Sequence, residues 1–116
     1  MTNQTYIDHY LKPRNKGKMF FSSIKVEFTS KGTCLDHIKA YVKFDKSKKI
    51  IKKIIYQVEG CSAIIAAMSY MSEKVTGMSK DDAREDVTPE SIMKALELSP
   101  EKKHAADAAH RVLQKI

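Results

Sequence analysis

Three segments with strand-like patterns, joined by short polar stretches, constrain the fold of this chain most. Apolar and polar residues alternate over 24–28 and again over 38–44, and an isoleucine-rich segment follows at 50–58. A period of two residues is typical of strands with one buried face, and short connections such as 45–48 join antiparallel neighbours. The pattern therefore predicts a three-stranded antiparallel meander.

After Gly60 the spacing of apolar residues changes from two to three and four, which predicts helices. The first apolar stripe consists of Ile64, Met68, Met71, Val75 and Met78. Gly77 suits the end of this helix, and Ser79 suits the start of the next one. The last helix has an apolar face made of Ala105, Ala108, Ala109, Val112, Leu113 and Ile116.

Two further helix starts are marked by proline. Thr88 and Ser99 are each followed by proline and glutamate, the order expected for an N-cap, a first helical residue and an acidic first turn. A short N-terminal helix is predicted over residues 2–11, with Tyr6, Ile7, Tyr10 and Leu11 on one face and His9 facing solvent. The whole order predicts an α+β fold in which several helices pack against the sheet.

The composition is that of one ordinary globular domain over residues 1–116, with 42% apolar and 30% charged residues. No apolar run approaches the roughly 20 residues that span a bilayer. The first residues lack the basic and apolar segments of a secretory signal, so we expect a cytoplasmic protein that does not bind membranes.

The net charge of +7 comes largely from two basic clusters. They are Lys12, Arg14, Lys16 and Lys18 in one and Lys46, Lys48, Lys49, Lys52 and Lys53 in the other. The second cluster surrounds a predicted hairpin loop, where we expect lysines to prevent edge-to-edge strand pairing. Neither cluster is interleaved with aromatic residues for base stacking, so we expect no nucleic-acid binding.

Both cysteines occupy positions where a thiol could bind metal or react. Cys61 follows Gly60 at the predicted strand–helix junction, where the helix N-terminus favours a thiolate. Cys34 and Asp36 are two residues apart in the first turn of the meander. Because the middle strand runs opposite to its neighbours, the start of strand two and the end of strand three share one end of the sheet. Cys34, Asp36 and Cys61 could meet there, although two unrelated buried thiols are the commoner alternative.

His104, early in the last helix, flanks the alanine face and could reach the same end of the domain. An exposed histidine with no ligand role is the commoner alternative for that residue taken alone. Asp107, one turn further along, could orient the His104 ring or simply be solvated.

Several short motifs resemble a known family, the NifU-like (IscU-type) iron–sulfur cluster assembly scaffolds. They occur in the family's order and cover the chain from about residue 6 to its end: Lys-Pro-Arg-Asn-Lys-Gly at 12–17, Gly-Thr-Cys-Leu-Asp at 32–36, Gly-Cys-Ser-Ala-Ile at 60–64, and Lys-Lys-His at 102–104. The combination of Pro-Arg-Asn with Gly-Cys-x-Ala-Ile is fairly specific.

The resemblance implies a non-enzymatic scaffold on which iron and sulfide are assembled into a cluster for transfer to apo-proteins, with sulfur supplied by a cysteine desulfurase. It implies the metal ligands Cys34, Asp36, Cys61 and His104, enough for a closed tetrahedral site. The cargo would be a transient [2Fe–2S] cluster, or Zn²⁺ would occupy the same site. Two subunits, each supplying Cys34 and Cys61, would give one cluster four thiolates, so the chain is expected to be a monomer or a weak homodimer.

The chain departs from the family at three points. Ala105 stands where the family has its third cysteine, and Leu35 replaces the glycine of Cys-Gly-Asp. The family's chaperone-recognition segment, Leu-Pro-Pro-Val-Lys, survives only as Leu-Ser-Pro-Glu-Lys at 98–102, which argues against a dedicated Hsp70-type partner. These departures leave two alternatives open: a zinc-binding adaptor or regulator, and a sulfur carrier that holds persulfide on Cys61.

Overall fold

The computed structural model describes residues 4–17, 19, 24–29 and 37–116. It contains three strands, β1 (Ile24–Thr29), β2 (His37–Phe44) and β3 (Ile51–Glu59). The helices are α1 (Gln4–Leu11), α2 (Ser62–Val75), α3 (Lys80–Asp86), α4 (Pro89–Leu96) and α5 (Lys103–Gln114), the last preceded by a 3₁₀ turn at Pro100–Lys102. The predicted α+β order is confirmed.

The sheet has the order β1-β2-β3, with both pairs antiparallel, as the alternating pattern predicts. Ile38, Ala40 and Val42 of the central strand are fully buried. Their partners across β3 are Val58, Tyr56 and Ile54. One face of the sheet therefore carries the core, because side chains alternate between the two faces of a strand.

The helices cover that face. The stripe from Ile64 to Val75 is completely buried, and α2 contacts both β3 and α5. Met78 is not part of this stripe, because α2 ends at Val75 and Gly77 adopts a left-handed φ of +92°. No described helix is both long and apolar enough to cross a bilayer.

The predicted caps account for the helix starts that follow. The Ser79 side chain accepts a hydrogen bond from the Asp82 amide, and Thr88 forms a capping box with Ser91. Such caps satisfy backbone N–H groups that have no partner within the helix. Ser99 begins the 3₁₀ turn without a side-chain cap hydrogen bond.

The outer edge of β3 is paired along two stretches. Near its start, Ile51 donates its N–H to the Met78 carbonyl at 2.8 Å and accepts from the Gly77 N–H at 2.7 Å. Further along, Tyr56 exchanges backbone hydrogen bonds with Asn15 and Gly17 at 3.0 and 2.8 Å. The prediction that lysines guard an open edge at this hairpin is therefore wrong at the start of β3, where the segment after α2 occupies backbone groups of Lys49 and Ile51.

The orientation of α1 differs from the prediction. His9 is buried at 5% exposure, whereas Tyr10 and Leu11 are 43% and 67% exposed. The imidazole Nδ1 of His9 lies 2.7 Å from the Ser69 hydroxyl in the middle of α2. A polar contact thus turns the helix so that its predicted apolar face is only partly buried.

The Pro-Arg-Asn motif anchors the segment after α1. The Arg14 amide donates to Ser69 Oγ at 2.9 Å, and its guanidinium pairs with Asp8. The Asn15 side-chain amide donates to Ser72 Oγ at 3.1 Å. These contacts tie α1 and the 12–17 loop to α2, so within the described residues the motif has a structural role.

Candidate metal and cluster site

Cys61 lies at the junction that the sequence predicts. It is the N-cap residue of α2, with extended φ and ψ of −75° and 168°, and it packs half-buried against the hydrophobic core. The next residue, Ser62, has its hydroxyl 2.8 Å from the Tyr6 phenol of α1. The Tyr6 phenol therefore ties α1 to the first residue of α2.

His104 lies next to this thiol although 43 residues separate the two in the chain. Its Nε2 is 3.5 Å from Cys61 Sγ. Its other ring nitrogen, Nδ1, is 3.1 Å from the Glu101 carbonyl one turn earlier. A carbonyl can only accept a hydrogen bond, so Nδ1 donates to it and Nε2 is the ring nitrogen that faces the sulfur.

This geometry suits two ligands of one metal ion. Zinc lies about 2.3 Å from thiolate sulfur and about 2.0–2.1 Å from imidazole nitrogen, so tetrahedral ligands lie about 3.5 Å apart. The observed separation of Sγ and Nε2 matches this value. A histidine that binds metal through one ring nitrogen usually donates its other ring N–H to a carbonyl or carboxylate. The Glu101 carbonyl has this position relative to His104 Nδ1.

The sequence offers two roles for Asp107: it could orient His104 or simply be solvated, the latter being the commoner case. The structure gives the first role to the Glu101 carbonyl, while Asp107 is exposed with a carboxylate oxygen 4.0 Å from Lys103 Nζ. Solvation of Asp107, the commoner alternative, fits its environment. Every residue has a backbone carbonyl, so the residue types give no sign of the contact with Glu101. Only the position of Glu101, one turn before His104, could have suggested it.

The other two predicted ligands, Cys34 and Asp36, lie outside the described residues. The residue that follows them, His37, pairs with Glu59 at the end of β3, two residues before Cys61. Within the described part of the chain, no group of three or more histidine, cysteine, aspartate or glutamate residues could hold a metal ion. Cys61 and His104 therefore form half of the predicted ligand set.

Ala105, which stands in place of the third family cysteine, is completely buried directly after His104. Its methyl group contributes to the packing between α5 and the rest of the core. A methyl side chain cannot bind metal.

Comparisons with known proteins agree with the fold. The sequence model of the NifU-like N terminal domain matches residues 1–116. The chain is 34% identical over 110 residues to Iron sulfur cluster assembly protein 2, mitochondrial, of Saccharomyces cerevisiae, covering 93% of this chain and 70% of the relative. It is 31% identical to the iron-sulfur cluster assembly scaffold protein IscU of Buchnera aphidicola, covering 93% of this chain and 85% of that protein.

A solved structure has the same fold at low sequence identity. It is an iron-sulfur cluster assembly scaffold described for the SUF system of Fervidobacterium Islandicum AW-1, with a TM-score of 0.82 and 16% identity. The match covers 97% of this chain and 93% of that one. The chain belongs to the NifU-like N-terminal domain family, which includes the IscU-type iron–sulfur cluster assembly scaffolds.

Proposed function

We propose that this chain is a scaffold on which iron and sulfide are assembled into a cluster that is then passed to apo-proteins. In this role the chain catalyses no reaction of its own; it supplies ligands and exchanges them. A cysteine desulfurase would supply the sulfur. The family membership and the names of the relatives support the general role.

The observation that carries the proposal is the pairing of Cys61 with His104. The fold brings a thiol from the β3–α2 junction to 3.5 Å from an imidazole nitrogen at the start of α5. The Glu101 carbonyl contacts the other ring nitrogen and so orients Nε2 toward the thiol. A surface histidine without a ligand role would need neither feature.

Chain connectivity supports Cys34 and Asp36 as the remaining ligands. Asp36 is bonded to His37, so their Cα atoms are about 3.8 Å apart, and Cys34 is at most about 11 Å from His37. His37 pairs with Glu59, two residues before Cys61, so the chain that leads back to Asp36 and Cys34 starts from a residue at the Cys61 end of the sheet. Two thiolates, one imidazole and one carboxylate would suit iron or zinc.

Anaerobic reconstitution tests the proposal. The purified chain is incubated with ferrous iron, a cysteine desulfurase and cysteine, and the visible absorbance of a cluster is recorded. We expect a cluster spectrum in the unmodified chain and its loss in Cys61→Ser, because a serine hydroxyl is a poor ligand for iron in a cluster. Transfer is then measured as the appearance of cluster absorbance on an apo-ferredoxin.

A matched control is Ser62→Ala, the neighbouring residue at the start of the same helix, which should keep the spectrum. If the double variant Cys34→Ser, Cys61→Ser formed the same chromophore as the unmodified chain, the scaffold proposal would be wrong. Circular dichroism of each variant shows that a lost spectrum does not reflect unfolding.

A zinc-binding adaptor is the second candidate, and Ala105 favours it. One buried methyl group in place of a thiol leaves fewer sulfur ligands than a cluster normally receives, whereas zinc accepts mixed nitrogen, oxygen and sulfur ligands. Stoichiometric zinc in the isolated chain, with no cluster after reconstitution, would establish this function instead. A sulfur adduct on Cys61 without iron, seen by mass spectrometry after incubation with the desulfurase, would identify a persulfide carrier.

A further inference from the structure

The loop and strand ends opposite Cys61 form a strongly basic surface. Residues 43–53 contain six lysines and one aspartate. We call these six the hairpin lysines: Lys43, Lys46, Lys48, Lys49, Lys52 and Lys53. All of them are exposed.

Protection of a sheet edge does not explain the hairpin lysines. Lys43 lies in β2, which is the central strand of the sheet. At the start of β3 the edge is occupied by the segment after α2, through hydrogen bonds to Ile51 and from the Lys80 N–H to the Lys49 carbonyl at 2.8 Å. A strand edge that is already paired needs no charged side chains to keep other strands away.

The sheet instead places like charges together. Lys43 pairs directly with Lys53 across β2 and β3, an arrangement that destabilises a sheet. The register then shifts, so that Phe44 pairs with Ile51 and Lys52 becomes the extra residue of a bulge. Because a bulge redirects side chains, Lys52 and Lys53 are both exposed in succession.

Little negative charge balances this surface. Asp45 is held by its own turn, where its Oδ1 accepts from the Ser47 hydroxyl at 2.7 Å and from the Lys49 and Ile50 amides at 3.2 Å. No ion pair among the described residues involves a hairpin lysine. The surface thus accumulates positive charge at some cost to the sheet. Asp45 and Asp81, which lines one pocket with Lys48 and Lys49, offset only part of that charge.

We propose that the hairpin lysines form a docking surface for an acidic segment of a partner protein. Complementary charge is what this surface offers, and it steers association and fixes orientation. The proposal is independent of cluster binding, because β3 is nine residues long and separates the hairpin from the Cys61 end by about 25–30 Å. A partner bound here would leave the Cys61–His104 site accessible.

The surroundings favour an acidic protein over nucleic acid or a membrane. The one aromatic ring in the hairpin, Phe44, is half-buried with Lys80 Nζ 5.2 Å from its centre, so it presents no platform for base stacking. Ile50 at the loop end is also half-buried, and Ile51 is fully buried. The hairpin thus lacks the exposed apolar side chains that insert into a lipid interface.

Fluorescence anisotropy with a labelled oligoglutamate peptide tests this surface at low ionic strength. The test variant is Lys43→Gln, Lys52→Gln, Lys53→Gln. The control variant, Lys12→Gln, Lys16→Gln, Lys94→Gln, removes the same charge from exposed lysines elsewhere. We expect the test variant to bind about tenfold more weakly, the control to bind almost as the unmodified chain does, and added salt to weaken binding.

The melting temperature provides a second readout. Removing the repulsion between Lys43 and Lys53 should leave the stability of the test variant unchanged or slightly raised. Equal losses of binding in both variants, or no binding of the peptide at all, would overturn the proposal. So would tighter binding of a single-stranded RNA oligomer or of phosphatidylserine vesicles than of the peptide, measured by competition.

Discussion

Two histidines contact the same helix, α2, at different depths, and their surroundings give them different chemistry. His9 is 5% exposed and contacts Ser69 in the middle of α2 through Nδ1. His104 is half-buried and faces Cys61 at the N-cap of α2 through Nε2, while its Nδ1 is held by a carbonyl. A buried ring hydrogen-bonded to a hydroxyl contributes to folding, whereas a ring whose Nε2 is oriented toward a thiol is suited to bind metal.

The surroundings of His9 disfavour a charged ring. Its Nδ1 lies 2.7 Å from Ser69 Oγ, which also accepts the Arg14 N–H. The ring is only 5% exposed. Burial, reinforced by the positive charge of Arg14, accordingly lowers the pKa of His9, and Glu73 and Asp8 oppose the shift only partly.

The largest expected effect is a difference in metal affinity between variants of the two histidines. His104→Ala should weaken zinc or cobalt binding by about a hundredfold or more, since loss of an orienting group alone costs about 10–100-fold. His9→Ala should leave metal affinity within about twofold once the protein is folded, because His9 contacts Ser69 instead of Cys61. Cobalt titration followed by absorbance measures both variants, and equal losses in the two would break the comparison.

A second effect concerns stability. Ser69→Ala removes the partner of both His9 Nδ1 and the Arg14 amide, so we expect a loss on the order of 2 kcal/mol in the free energy of unfolding. Ser62→Ala removes a half-buried contact with Tyr6 and should cost less, about 1 kcal/mol. Urea denaturation compares the two variants. A larger loss of unfolding free energy in Ser62→Ala would show that the contacts of Ser69 with His9 and Arg14 are not what anchors α1.

The smallest effect is a pH dependence carried by His9. Because its folded pKa lies below the ordinary value of 6.5, the unfolded chain binds the proton more readily, and stability falls as the pH drops below about 6.5. Above that pH His9 is neutral in both states and contributes no dependence. Thermal melts of the unmodified chain and of His9→Gln should diverge in slope only on the acidic side.

Neighbouring titratable groups of His9 do not change charge in the pH range between neutrality and mild acid. Arg14 lowers the pKa of Asp8 below its ordinary value of 3.8, so Asp8 changes charge at more acidic pH. Burial raises the pKa of the Tyr56 phenol to about 12, which keeps it neutral throughout. An identical pH slope in His9→Gln between neutrality and mild acid would contradict the assignment to His9.

The sequence predicted the element boundaries and the position of Cys61 better than it predicted the packing of α1. Period and caps predict where strands and helices begin, because the causes are local: alternation for β1 and β2, the Thr88 capping box for α4. The orientation of α1 depends on a hydroxyl 60 residues away, so residue spacing within the helix could not reveal that His9 is buried. Spacing also could not show that Met78 leaves the helix to pair with Ile51.

By itself the sequence determined the α+β class, the meander and the junction at which Cys61 begins a helix. Those features follow from residue periodicity and from the few residue types that tolerate a turn or a helix end. Only the tertiary structure decided that His104 faces Cys61 through Nε2. It alone also showed that the edge of β3 at Ile51, beside the hairpin lysines, is already paired. Both depend on contacts between distant segments, whose distances are set by how the helices pack on the sheet and not by local preference.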